Sequence, residues 1–253
     1  MISLSNQSIL ITGGGSGIGA GTAKYLSGKG AKIMICGRSE EKLLKVSKNI
    51  GDSCSYVVAD ITVEEDRDRI ISSALEHGDG LDALINNAGN MYRAPLLELE
   101  EKNLIDIFQS NVIAGMLLSK KSFPYLKASK GSIIFISSVH TKRAFSGASP
   151  YAASKGAVET LTKVLASELG PSDVRVNCIV PGAVPSDINV RAGLYSQEEN
   201  TKRMDSLIPE HRLGRVGTTT EIAEAIGYLL TAEWTTGAIL DVDGGLGLGA
   251  LKD

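Results

Sequence analysis

Short apolar runs alternate with amphipathic stretches along almost the whole chain, and few folds accommodate that rhythm. The runs are Ile9–Ile11, Ile33–Cys36, Tyr56–Val58, Leu81–Ile85, Ile133–Ile136, Val174–Val180 and Ala238–Val242. Each has the length of a strand. Between them the periodicity predicts helices over 17–29, 40–49, 63–76, 96–127, 150–169 and 220–231. Strands alternating with helices imply βαβ units with right-handed crossovers. The expected class is α/β: a doubly wound parallel sheet of about seven strands with helices on both faces. A chain of 253 residues suits a single domain, 1–253.

Several element ends are legible. Thr62 with Glu65 reads as a weak capping box, Ser149 as a cap before Pro150, and Gly170-Pro171 as a helix stop. The polar stretch 183–218 lacks a strand and holds Pro185 and Pro209. It reads as a lid with a helix or two. Ligands of such sheets bind beyond the strand carboxyl ends, so the lid would cover a substrate.

Bulk properties narrow the function. Lys+Arg number 26 against 29 Asp+Glu, a net charge of −3 without a dense basic tract. That disfavours nucleic acid as a partner. Cys36, Cys54 and Cys178 form no Cys-x-x-Cys pair, and Cys36 and Cys178 lie in apolar runs. Buried free thiols and a cytoplasmic location are expected. The three histidines lack metal-ligand spacing, so no metal is expected. Residues Met1 to Gln7 show no leader pattern, and no apolar run reaches membrane-span length.

The turn Thr12-Gly13-Gly14-Gly15-Ser16-Gly17-Ile18-Gly19 follows the first strand and opens the first helix. Glycines let backbone N–H groups approach a pyrophosphate, and a helix N-terminus favours its charge. A flexible surface turn is the alternative, made less attractive by the position between strand and helix. Further along stands Tyr151-Ala152-Ala153-Ser154-Lys155. Residues i and i+4 share a helix face. A free phenol has a pKa of about 10, and a neighbouring ammonium lowers it toward useful acid–base chemistry. Taken alone, the pair also suits an ordinary solvent-facing helix.

Six ordered motifs together resemble the short-chain dehydrogenase/reductase family. They are the glycine turn, Asp60-Ile61 at the end of the third strand, and Asn86-Asn87-Ala88-Gly89 after the fourth. Ser138 with Tyr151-x-x-x-Lys155, Pro181-Gly182 with Ser186, and Thr236-Gly237 to Gly245 complete the set. The resemblance spans nearly the whole chain and implies a Rossmann-type sheet and a nicotinamide dinucleotide. By that resemblance Gly13, Gly15, Ser16, Gly17, Ile18 and Gly19 hold the pyrophosphate region, and Asp60 meets the adenine ring. Ile61, Asn87, Ala88, Gly89, Pro181, Gly182, Val184 and Ser186 complete the cofactor site. Tyr151 acts as acid and base, and Lys155 also binds the nicotinamide ribose. Ser138, thirteen positions before Tyr151, bonds the substrate oxygen. Asn111 holds a water linking Lys155 to solvent.

The second strand ends in Gly37-Arg38-Ser39, where NAD enzymes commonly carry a carboxylate. Arg38 can meet a 2′-phosphate and Ser39 can add a hydrogen bond, so NADP(H) is favoured over NAD(H). Ser16 departs from the pattern, since some NADP-dependent relatives carry a basic residue there. The expected activity interconverts a ketone and a secondary alcohol on a small molecule. A 3-oxoacyl thioester on acyl carrier protein is a specific alternative, with Lys127 and Lys130 as contacts for an acidic carrier. A non-catalytic dinucleotide sensor is the rival of another class, disfavoured by the intact Tyr151 and Lys155. His140, Lys142, Arg143 and Arg93 fall near the cleft and suit either an anionic substrate or solvated loops. The apolar, glycine-rich segment Gly237 to Leu251 has little core left to enter. It points to a homotetramer, paired through the last strand and through the helices at 96–127 and 150–169.

Overall fold

The strands bury side chains on both faces, and their alternation divides the core in two. In the computed structural model, which describes residues 3–249, seven strands form one parallel sheet. They are β1 (Ser8–Thr12), β2 (Lys32–Gly37), β3 (Cys54–Val58), β4 (Ala83–Asn86), β5 (Ser132–Ile136), β6 (Arg175–Pro181) and β7 (Ile239–Val242). Their order is β3-β2-β1-β4-β5-β6-β7. Ile9, Ile11, Ile33, Ile35, Ile85, Ile134 and Ile179 face one side. There they pack against α1 (Gly17–Ser27), α2 (Glu40–Ile50) and α9 (Thr219–Thr231). Leu10, Met34, Cys36, Leu84, Ile133, Phe135 and Cys178 face the other side. They meet α3 (Glu64–Gly78), α5 (Ala114–Ser129) and α6 (Ser149–Leu169). Each fully buried Ile or Leu contributes about 1.5–3 kcal/mol, so a register slip in any strand would be heavily penalised.

Polar residues on β6 lock the far edge. Arg175 donates to the carbonyls of Leu229, Leu230 and Ala232 at 2.6, 2.8 and 3.2 Å, which caps the C-terminal end of α9. Asn177 donates to Thr235 O at 2.8 Å and accepts from Ala238 N at 3.0 Å, tying β7 to its neighbour.

Several expected boundaries are corrected. The stretch expected as one helix over 96–127 is broken. A 3-10 turn covers Leu96–Glu98, α4 covers Glu101–Phe108, and a π-helical turn at Gln109–Ile113 precedes α5. Ser110 Oγ donates to Asp106 O and Ile107 O within that turn, at 3.0 and 3.2 Å. Thr62 caps nothing, because its N–H and hydroxyl both go to Asp60 Oδ1 at 2.9 and 2.7 Å. Val63 stands at the cap of α3. Ser149 is the first residue of α6, with Ala148 at the cap. Helix α6 does end at Leu169 with Gly170 at its cap, as Gly170-Pro171 predicted; a 3-10 turn follows, and Asp173, with φ of 59°, makes the left-handed exit. The third strand ends at Val58, so Asp60 and Ile61 stand in the loop beyond it.

The lid holds two helices, α7 (Ile188–Arg191) and α8 (Gln197–Leu207), the second closed by a capping box between Ser196 and Glu199. Leu246, expected to find no core, is buried with Val139 and Ala183. Leu248 is exposed, and Leu251 lies outside the described residues. Cys36, Cys54 and Cys178 are free and buried, and burial pushes each thiol up to about 12. Among the described residues no helix is long and apolar enough to cross a membrane.

Candidate active site

Sheet order reverses direction between β1 and β4, and a cleft of about 470 Å³ opens there at the strand carboxyl ends. Thr12, the last residue of β1, holds its two sides together. Its hydroxyl donates to Ile85 O at 3.3 Å and accepts from the N–H groups of Asn87 and Ala88 at 3.0 and 2.9 Å. Asn87 Nδ2 returns the link, donating to Thr12 O at 2.8 Å and Gly13 O at 3.2 Å.

The glycine turn is a cradle that side chains would fill. Gly13 has φ of +67°, and a Cβ there would lie 2.9 Å from Ala88 Cα. Gly17 has φ of +53° and opens α1, with Ser186 of the lid against it. A Cβ on Gly19 would collide with Gly13 O. Bare backbone at a helix N-terminus, floored by the Asn87-Ala88 turn, fits a dinucleotide pyrophosphate. The cleft is lined by Gly13, Ser16, Gly17, Ile18, Arg38, Asp60, Ile61, Asn87, Ala88 and Gly89. Ser138, Tyr151, Lys155, Pro181, Gly182, Val184 and Ser186 line its other half. Among the expected residues, Gly15, Gly19, Ser39 and Asn111 stand outside this lining. Ser39 occupies the exposed cap position of α2.

Helix α6 brings Tyr151 and Lys155 together, 6% and 5% exposed, with Lys155 Nζ 5.7 Å from the phenol ring centroid. That ammonium is turned to the Ile136 carbonyl at 2.8 Å. The expected lowering of Tyr151 by Lys155 is absent: burial pushes the phenol up to about 12, with Ser138 pulling the other way. Burial also pushes Lys155 down to about 8. Desolvation is the largest cause of both shifts.

Asn111 spends its side chain on the protein. It donates to Asn90 O and Ser154 Oγ, both at 3.0 Å, and accepts from Asn90 N at 2.7 Å and Ser110 Oγ at 3.3 Å. The amide therefore pins the Gly89-Asn90 loop to α6. A Cβ on Gly89 would meet Asn111 Oδ1 at 3.2 Å and Lys155 Nζ at 3.4 Å, which shows how closely the loop is held.

Beyond Tyr151 the cleft ends in His140 and lid residues. Ser138 Oγ is 3.0 Å from His140 Nδ1. The imidazole stands edge-on to Tyr151 at 5.1 Å and tilts over Phe145 at 4.5 Å. Burial, then Arg93 and Arg203, push His140 down to about 4, so the ring is neutral near pH 7. Lys142 donates to Glu159 at 3.1 Å and Arg143 to Glu210 at 2.6 Å, so neither is a free loop cation. Lys130, a candidate carrier contact, pairs with Asp173 at 3.0 Å on the surface. Two residues of the cleft went unseen in the sequence, Arg191 and Arg203 on the lid, and so did the bridging role of Thr12 beneath it. Thr12 carried a signal in its place before the glycine turn, whereas the lid arginines carried none, since only tertiary folding brings them there.

The family model described as short chain dehydrogenase matches residues 7–195. A tropinone reductase homolog of Arabidopsis thaliana is 34% identical, covering 96% of this chain and 93% of that protein. A Caenorhabditis elegans short-chain dehydrogenase/reductase solved with cofactor superposes with a TM-score of 0.91 at 29% identity, covering 98% of this chain and 97% of the other. A 3-ketoacyl-(acyl-carrier-protein) reductase from Brucella melitensis, complexed with NADH, gives 0.87 at 33%, covering 97% and 100%. With its seven-stranded parallel sheet and glycine cradle, the chain belongs to the short-chain dehydrogenase/reductase family of NAD(P)-dependent oxidoreductases.

Proposed function

We propose that the protein reduces a small-molecule ketone with NADPH, or oxidises the matching secondary alcohol in reverse. The observation that carries this reading is the buried Tyr151, with Lys155 and Ser138 beside it, at the end of a cleft whose other half is a glycine cradle. When bound, the nicotinamide supplies or takes a hydride at its C4. Tyr151 is a phenol near neutrality, the form that donates a proton to the carbonyl oxygen in the reducing direction. Ser138 orients that oxygen. Lys155 holds the ribose hydroxyls and, once its ammonium turns from Ile136 O toward Tyr151, eases loss of the phenolic proton. Asn111 acts through position, fixing the loop of Gly89 against Lys155.

Two cations favour NADP(H) over NAD(H). Arg38, largely exposed, lies 3.9 Å from Asp60, too far for a tight pair. Arg191 of α7 lines the same end of the cleft, and repulsion from Arg38 adds to burial in lowering its pKa. A 2′-phosphate between the two guanidinium groups would relieve that repulsion. The lid is latched nearby by Lys42 and Asp187 at 3.1 Å.

A homotetramer is part of the reading. Ile105, Ile113, Met116 and Val164 are exposed apolar residues on α4, α5, α6 and the turn between them. Tyr228, Trp234 and Leu248 are exposed near β7. Two such patches suit two kinds of two-fold contact. A single domain and a cytoplasmic site are proposed with it, the latter on the three free thiols.

The test is Tyr151→Phe, which keeps the ring and removes the proton. Turnover on a carbonyl panel should fall about 10²–10⁴-fold while NADPH affinity stays nearly constant. Near-full turnover by the variant would end the assignment of Tyr151.

A further inference from the structure

We infer that the substrate carries a carboxylate close to its reacting carbonyl, and that Arg203 of the lid binds it. This deepens the reading above and rests on it. Charge at the far end of the cleft is not balanced. Lys142 and Arg143 are neutralised by Glu159 and Glu210. Arg203 and Arg93 have no acidic partner among the described residues. Arg93 donates to the Ser146 carbonyl at 2.7 Å. Arg203 lies over the ring of Tyr195 at 5.5 Å from its centroid and is half-buried in the cleft wall.

Among the described residues, two buried nitrogens in this wall lack a hydrogen-bond partner: Arg203 Nε and His140 Nε2. A buried donor without an acceptor costs about 1–3 kcal/mol, so such atoms in a binding cleft point to a ligand group that completes them. Arg203 Nε is always a donor. His140 Nε2 is one in the tautomer whose Nδ1 accepts from Ser138. The electrostatic fields of Arg93 and Arg203 both reach His140 and help to keep it neutral. The uncompensated positive charge therefore surrounds a residue in ring contact with Tyr151. An anion placed there sits beside the carbonyl that Tyr151 protonates. A short oxo acid, which carries a carboxylate as well as its ketone, satisfies both groups at once. The rest of the wall, Met204, Leu207 and Phe145, is apolar and suits a short alkyl group.

Acetoacetate and its methyl ester provide the probes, since they share the ketone and differ in charge. Each is titrated into the NADP⁺ complex by calorimetry, with wild type, Arg203→Gln and Arg203→Lys. We expect the acid to bind wild type at least about ten-fold more tightly than the ester, the size of one charge-assisted contact. Arg203→Gln should abolish that preference while leaving ester affinity unchanged, and Arg203→Lys should retain part of it. Unchanged NADPH affinity in both variants shows that the fold persists. Equal affinity for acid and ester in wild type overturns the inference, as does a preference that survives Arg203→Gln. NADPH oxidation is followed separately with both probes. Preference in binding without any oxidation across the carbonyl panel would sink the catalytic reading and leave the anion subsite standing.

Discussion

Replacing Lys155 by Met should make the cofactor-free protein more stable while destroying its activity. The ammonium is 5% exposed, and burial lowers its pKa from 10.5 to about 8. That gap corresponds to about 3 kcal/mol of unfavourable charge burial. Met keeps the aliphatic stem and removes the charge. It also deprives Ile136 O of its donor, a loss of about 1 kcal/mol. The expected net gain is about 2 kcal/mol near pH 7, or about 4–8 °C in Tm for a chain of this size. The pH dependence follows from linkage. Below the folded-state value of about 8 both states carry the proton, and the penalty on wild type is complete. Between about 8 and 10.5 the unfolded chain binds the proton and the folded one does not, so wild-type stability recovers as pH rises. The advantage of Lys155→Met should shrink over that interval. Urea denaturation of both proteins at pH 7, 8.5 and 10 measures it. A destabilised variant at pH 7, or an advantage that stays constant to pH 10, would refute the argument that this lysine is held at a cost.

Arg38→Ala should weaken NADPH about ten-fold or more and NADH far less, as direct titration would show; equal losses would remove the 2′-phosphate reading. Thr12→Val leaves the half-buried Ala88 N–H without its acceptor and weakens the Asn87 link, so denaturant unfolding should reveal a loss of about 1–3 kcal/mol. Light scattering at micromolar concentration should give four times the 26.6 kDa chain mass. A value near one chain would rule out the assembly, and twice the mass would leave one interface.

Sheet, helices and most of the cleft were legible because they depend on local pattern. Alternating Ile and Leu in β1 and β2 select a two-sided buried strand before any partner is known. Glycines at 13, 17 and 19 are required by the backbone itself, through positive φ or close approach. The i, i+4 spacing of Tyr151 and Lys155 guarantees one helix face. Local pattern could not reveal the π-turn at Asn111, because that amide is drawn inward by Asn90 and Ser154, the latter 43 residues away. Nor could it settle proton affinities. Spacing suggested a phenol lowered by its neighbour, whereas burial raised Tyr151 and lowered Lys155. Desolvation depends on everything packed around a group, and only the folded chain supplies that environment. The charge of the far pocket was decided the same way. Lys142, Arg143, Arg93 and Arg203 look equivalent as letters, and tertiary structure sorted them by placing Glu159 and Glu210 beside the first two alone.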